Sequence, residues 1–219
     1  MSKQDIQLYS LATPNGQKVS IALEEMGFTY DEHLINIMEG DQFTEDYIKI
    51  SPNSKIPAII DPAGPNGEPI TIMESGAILI YLAEKSGMLL SQDPRLRCET
   101  LQWLFFQVAH IGPMFGQFGH FYKYAKDACD HPYPVKRYGD EAKRLLCVLD
   151  KRLEGRTFLV GEEYSIADIA IFPWVSCLDV FYDASEHLGL SNYPNVQQWF
   201  TRCSSRPAAQ RGAKVCAIS

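Results

Sequence analysis

The sequence predicts an α/β domain followed by an all-α domain, and three observations carry that prediction. Residues 5–85 alternate short strand-like and helical segments. From Arg95 onward, apolar residues recur at helical spacing with almost no strand pattern. Between these stretches, MLLSQDP (residues 88–94) breaks both patterns. The boundaries are a first domain over 1–87, a linker over 88–94 and a helical domain over 95–219. A chain of 219 residues has room for two cores of this size.

In the first half, DIQLYSL (5–11) is a short strand with alternating apolar residues. A turn at Thr13-Pro14-Asn15-Gly16 leads into a helix with Val19, Ala22, Leu23 and Met26 on one face and Gly27 as its stop. YDEHLINI (30–37) reads as a second strand. A polar loop and a short helix fill 39–50, ended by Ser51-Pro52. KIPAIIDP (55–62) and EPITIM (68–73) read as a hairpin across Pro65-Asn66-Gly67, and ESGAILIYLAEKSG (74–87) as a helix closed by Gly87. The order β-α-β-α-β-β-α is too compact for a doubly wound nucleotide-binding sheet and matches the thioredoxin plan.

In the second half, Leu101, Leu104, Phe105, Val108 and Ile111 form one apolar stripe, interrupted at Gly112-Pro113. A second helix has Pro134 in its first turn and is expected to bury Val135, Tyr138, Ala142, Leu145, Leu146, Leu149 and Leu153 before Gly155 ends it. YSIADIA (164–170) carries a capping box. Ser165 accepts from the Asp168 N–H, the Asp168 side chain reaches back to the Ser165 N–H, and Tyr164 packs with Ile169 across the start. That motif serves folding rather than catalysis. The aromatics Phe105, Phe106, Phe115, Phe118, Phe121 and Tyr122 are mostly core residues, with one or two left to line an apolar acceptor pocket.

Composition narrows the function. A net charge of −7 and a pI near 5.2 argue against nucleic acid as a partner, which usually meets a basic stripe. No apolar stretch approaches the roughly 20 residues of a membrane span, so no membrane partner is expected. MSKQDIQLYS lacks the apolar core of a secretory signal. Six scattered cysteines without C-x-x-C spacing read as reduced thiols, and together these features read as cytoplasmic. Five histidines without H-x-x-x-H spacing lead us to expect no catalytic metal.

Five segments in order, LYSLATPNGQKV, SPNSKIPAIID, ESGAILIYLAEK, YSIADIAIFPW and YPNVQQWFTRCSSRPA, resemble the cytosolic glutathione transferase family over essentially the whole chain. TPNGQKV, GDQF (40–43) and TLQWLFFQVAHIGPMFGQ (100–117) look closer to its Nu-class, Ure2-like branch. The resemblance implies a thioredoxin-like domain plus a helical bundle, with glutathione or its disulfide as cosubstrate. It also implies a homodimer, for which Met73, Ile78 and Tyr81 can face the partner. The activity implied is glutathione-dependent disulfide reduction; the alternatives are conjugation to electrophiles, hydroperoxide reduction, or a non-enzymatic binding module.

The implied site residues also make physical sense. The resemblance makes the Ile56–Pro57 bond cis, so that the Ile56 backbone pairs with the peptide's cysteinyl unit as a short added strand. Ser75, at a strand-to-helix junction, offers its N–H and hydroxyl to a carboxylate, and Glu74 its charge to an ammonium, matching a γ-glutamyl end. Gln42 can bond the glycyl carboxylate and Lys55 can add charge nearby. By resemblance, Arg137 holds a carboxylate of a second glutathione, a task its planar fork suits.

Where related reductases place a C-x-x-C pair, this chain has Thr13-Pro14-Asn15-Gly16 and no sulfur. The thiol therefore arrives with the ligand, and the catalytic candidates are Thr13 and Asn15, placed to hydrogen-bond a thiolate at a helix start. Pro14 fixes the turn and Gly16 relaxes its geometry. Tyr9 is the competing candidate, but it sits inside the strand four residues ahead of the turn.

Overall fold

The structure, a computed structural model, describes residues 5–218 and divides them into two compact units, 5–90 with 205–218, and 91–204. The first unit opens with strand β1 (Ile6–Ser10), helix α1 (Pro14–Met26) and strand β2 (Tyr30–Leu34). Helix α2 (Glu45–Ile50), strands β3 (Ala58–Asp61) and β4 (Ile70–Met73) and helix α3 (Ser75–Ser86) follow, in the expected order. The sheet runs β2-β1-β3-β4. β1 and β2 are parallel because α1 carries the chain back between them, whereas β3 is antiparallel to both β1 and β4. Leu8 and Ile59 of the sheet, with Val19, Leu23, Leu79 and Leu82 of the helices, are fully buried and form the core. Ile78 is among them at 0% exposure, so it cannot face a second subunit as expected; it is three residues past Ser75 on the inward face of α3. The Tyr81 hydroxyl is likewise committed, donating to the buried Asp61 carboxylate at 2.5 Å.

Residues 13–16 are not a turn ahead of the helix but its first turn. Thr13 is the N-cap, its Oγ1 accepting from the Gly16 N–H at 3.4 Å. Pro14 takes the next place, where a missing N–H costs nothing and the fixed φ suits the helix. Gly16 relaxes no backbone geometry either. A Cβ there would lie 1.9 Å from the Leu11 carbonyl oxygen and 2.5 Å from Ser10 Oγ, so close approach excludes a side chain. Gly16→Ala should cost about 2 kcal/mol or more by forced backbone shifts, lowering Tm by roughly 4–8 °C in a thermal melt.

The second unit is helical. Helix α4 (Pro94–Phe106) is capped by Asp93, whose carboxylate accepts from the N–H groups of Arg95 and Leu96. It passes through a widened turn at Gln107–Ile111 into α5 (Gly112–Gly119). Helices α6 (Pro132–Leu153), α7 (Ile166–Val180), α8 (Ser185–Leu188) and α9 (Pro194–Ser204) complete it. The expected interruption at Gly112-Pro113 does not occur: Gly112 keeps helical φ −56° and ψ −56°, and its N–H reaches the carbonyl of Gln107, five residues back. A prolyl ring clashes with the carbonyl four residues behind it, and the extra residue in the turn relieves that clash.

The predicted stripe is split. Leu104 and Ile111 are buried, whereas Phe105 is 60% exposed and Val108 is also exposed. Phe115 and Phe118 are core residues. In α6, Ala142, Leu145, Leu146, Leu149 and Leu153 are buried as expected, but Val135 and Tyr138 in its opening turns are only half-buried.

The last 15 residues depart from the expected domain limit at 95–219. Those described, 205–218, pack with the first unit. Helix α10 (Pro207–Gly212) lies so close to α1 that a Cβ on Gly212 would be 2.6 Å from the Ile21 backbone. Ser20 Oγ donates to the Gly212 carbonyl at 2.7 Å, Arg206 makes a two-pronged ion pair with Glu25, and Arg211 pairs with Glu24. The Ala12 N–H donates to the Cys216 carbonyl at 3.1 Å, tying the segment to the loop that carries Thr13. Among the described residues, no helix is long and apolar enough to cross a membrane.

Candidate functional site

A cavity of about 170 Å³ in the first unit is lined by Asn15, Ser51, Asn53, Lys55, Ile56, Pro57, Met73, Glu74 and Ser75. Its walls follow from how the chain ends its elements: the first turn of α1, the loop leading into β3, and the junction of β4 with α3. Five of the eight residues expected from the sequence, Asn15, Lys55, Ile56, Glu74 and Ser75, therefore meet around one space.

The loop is held from below. Tyr47 of α2 and the buried Ser51 both donate their hydroxyl groups to the Lys55 carbonyl, each at 2.8 Å. Ile56–Pro57 is a cis bond, and Pro57 is buried while Ile56 is half-exposed. At the β4–α3 junction Glu74 has φ 71° and ψ 112°, backbone angles that a residue with a side chain rarely adopts. Such geometry persists where its surroundings impose it and is concentrated at ligand clamps. Its carboxylate is exposed and receives a weak contact from Asn53 Nδ2 at 3.5 Å.

Ser75, the first residue of α3, is nearly buried, and its hydroxyl oxygen accepts from Lys18 Nζ at 3.2 Å. Sequence reasoning missed Lys18, although a signal was present: helical spacing sets it in line with the buried Ile21 and Ala22. It is 1% exposed. Burial pulls its pKa down to about 7, with Glu74 acting in the opposite sense. Asn53 and Ser51 were also missed as site residues; they lie in SPNS, read as the stop of the short helix and as part of a segment that resembles the family.

The other three expected residues lie elsewhere. Thr13 caps the same helix turn that carries Asn15 but is not part of the cavity wall. Gln42 turns inward: its Nε2 donates to the Ile37 carbonyl at 3.3 Å, and its Oε1 is buried with no hydrogen-bond partner among the described residues. Arg137 is exposed on α6 in the second unit, in the second turn of that helix. Tyr9, the competing nucleophile-activating candidate, stacks on His33 at 4.5 Å and does not line the cavity.

With two helix N-termini, a carboxylate, an ammonium and an exposed length of backbone around it, the cavity can hold a small zwitterionic peptide. None of the residues lining it is a cysteine.

Comparison with known proteins agrees with this architecture. Residues 12–85 match the glutathione S-transferase N-terminal domain and residues 134–207 the C-terminal domain. The chain is 48% identical over 205 residues to the disulfide-bond oxidoreductase YfcG of Escherichia coli, covering 93% of this chain and 92% of that one. A glutathione transferase family member from Pseudomonas fluorescens Pf-5, solved with two glutathione bound, superposes with a TM-score of 0.95 at 52% identity, covering 98% of this chain and 95% of that one. A glutathione transferase from Pseudomonas putida, solved with one glutathione disulfide per subunit, gives 0.94 at 53% identity, covering 96% and 91%. The chain belongs to the glutathione transferase family. Within it, the chain falls in the Nu-class, Ure2-like branch.

Proposed function

We propose that the protein is a glutathione-dependent disulfide-bond oxidoreductase in which the reacting sulfurs come from glutathione and from the substrate. The observation that carries this is the cavity itself: features suited to a zwitterionic peptide surround the start of α1, and no cysteine is among the residues that line it. The relatives named above, a disulfide-bond oxidoreductase and enzymes holding two glutathiones or their disulfide, support the same chemistry.

In this reading, Ile56 pairs its backbone with the cysteinyl unit. Glu74 takes the γ-glutamyl ammonium and Ser75 the adjacent carboxylate, while Lys55 serves the glycyl end. Thr13 and Asn15 hydrogen-bond the sulfur, favouring thiolate over thiol at the positive end of α1. The thiolate attacks one sulfur of a small disulfide, giving a mixed disulfide and releasing the other half as a thiolate that takes a proton from solvent. A second glutathione thiolate attacks the glutathione sulfur of the mixed disulfide. Glutathione disulfide and the second substrate thiol result, so two glutathiones supply the two electrons. Arg137 holds a carboxylate of that second peptide.

The six cysteines are all free thiols, which fits a reducing, cytoplasmic setting. The exposed Phe105 of α4 and Val108 of the widened turn after it fit burial between two copies of the chain.

A cysteine-free variant tests the scheme. Cys98, Cys129 and Cys147 can become Ser, and the buried Cys177, Cys203 and Cys216 can become Ala, each at a cost of about 1 kcal/mol. The expected result is a folded protein that still reduces a small disulfide when given glutathione. A folded variant without turnover would overturn the scheme.

A further inference from the structure

We infer that Lys18 is a positioning residue of the γ-glutamyl subsite: held beneath the start of α3 against Ser75, it is the buried counter-charge for the incoming carboxylate, and binding draws a proton onto it. This inference rests on the glutathione reading of the cavity given above.

The geometry comes first. Lys18 Nζ donates to Ser75 Oγ at 3.2 Å, which fixes the direction of that hydroxyl's lone pair and leaves its O–H to donate to a ligand. A carboxylate oxygen accepting from Ser75 at an ordinary hydrogen-bond distance lies no more than about 6 Å from Nζ. An opposite charge at that range favours the ammonium form. Burial alone works against the charged form of Lys18.

The charges around Lys18 agree. From the N-terminal junction of α3 the facing group is Glu74, whose carboxylate raises the Lys18 pKa. The charges that α10 and the segment before it bring to α1 are already paired, Glu24 with Arg211 and Glu25 with Arg206, at the C-terminal end of α1. On α3, Lys85 is engaged with Asp61 at the far end of the helix. Burial brings Lys18 to about 7, so near neutral pH the amine is divided between its two forms. A bound carboxylate shifts it toward the charged form. The sign follows: uptake is small at pH 5.5, where Lys18 is already protonated, and rises through pH 7 to 8.

The test is calorimetry with S-methylglutathione, which has no titrating thiol, in buffers of different ionisation enthalpy at pH 5.5 and 7.5. We expect uptake of about half a proton per site at pH 7.5 and less than about 0.1 at pH 5.5. Lys18→Arg, permanently charged, should bind the probe with no uptake at either pH. Lys18→Met should weaken binding about tenfold and also take up none. Wild-type binding without uptake at pH 7.5 overturns the role of Lys18 while leaving the site intact. Uptake that survives in a folded Lys18→Arg or Lys18→Met protein assigns the proton elsewhere and also overturns it. Absence of binding by the wild type overturns the glutathione site itself. Should neither variant fold, the wild-type pair of pH values still decides.

Discussion

Asn15→Ala is expected to lower kcat/KM for reduction of a small disulfide by about 100-fold while the protein stays folded. Removing one preorganised donor to a developing anion typically costs this much. Asn15 is the only expected sulfur contact that itself lines the cavity, one residue into α1 and at its positive end. Alanine is the best helix former, and the position is half-exposed, so the stability change should stay within about 1 kcal/mol. Thr13→Ala makes the informative companion. The Thr13 hydroxyl already accepts from Gly16 as the helix cap, so its removal mixes a loss of about 1 kcal/mol of stability with any loss of turnover. If Asn15 stabilises a thiolate, its variant should also shift the rising limb of the pH–rate profile to higher pH. Unchanged turnover across pH 6–9 would remove Asn15 from the mechanism.

The elements of the first unit were legible because each carries a period of its own: two in β1, with Ile6, Leu8 and Ser10 buried, and 3.6 in α1 and α3. The capping box at Ser165 was legible for a similar reason, since a four-residue spacing states a local bond pattern. Gly112-Pro113 misled because the pair ordinarily breaks a helix, and the turn that accommodates it lies upstream among ordinary residues, Gln107–Ile111. The packing of 205–218 onto the first unit had no local signature at all. Arg206 and Glu25 are 181 positions apart, and one arginine among polar residues does not announce its partner.

The site divided along the same line. Glu74 and Ser75 mark a strand-to-helix junction and could be placed from local pattern, with the resemblance supplying the ligand. Lys18 could not, because a lysine in a helix is normally solvated and only its alignment with Ile21 and Ala22 hinted otherwise. Gln42 was expected to reach the glycyl carboxylate from its polar loop, yet its amide is folded back to the Ile37 carbonyl.

Asp168→Ala should destabilise the helical unit by about 4 kcal/mol or more, the largest stability effect of any single substitution considered. Asp168 is fully buried, and its carboxylate accepts four hydrogen bonds: from the Leu159 N–H at 3.0 Å, the Ser165 N–H at 3.0 Å, the Ser165 hydroxyl at 3.0 Å and Trp199 Nε1 at 2.8 Å. One residue thus ties the start of α7 to the loop before it and to α9. Burial pushes its carboxyl upward, and the donors from Leu159, Trp199 and Ser165 pull the other way. Truncation to alanine removes the reciprocal half of the cap, worth about 0.5–2 kcal/mol. It also strands the Leu159 N–H and the Trp199 indole N–H out of reach of water, at about 1–3 kcal/mol each. Against a total stability of about 5–15 kcal/mol, the loss is large enough to leave a visible unfolded fraction at 37 °C. Asp168→Asn keeps the shape and one strong acceptor, so it should lose roughly half as much, which separates lost volume from lost acceptors. The measurement is chemical unfolding followed by tryptophan fluorescence alongside glutathione affinity. A folding role predicts a fall in the unfolding midpoint with unchanged affinity in the fraction that remains folded. An unshifted midpoint for Asp168→Ala would mean that the four bonds contribute no net stability.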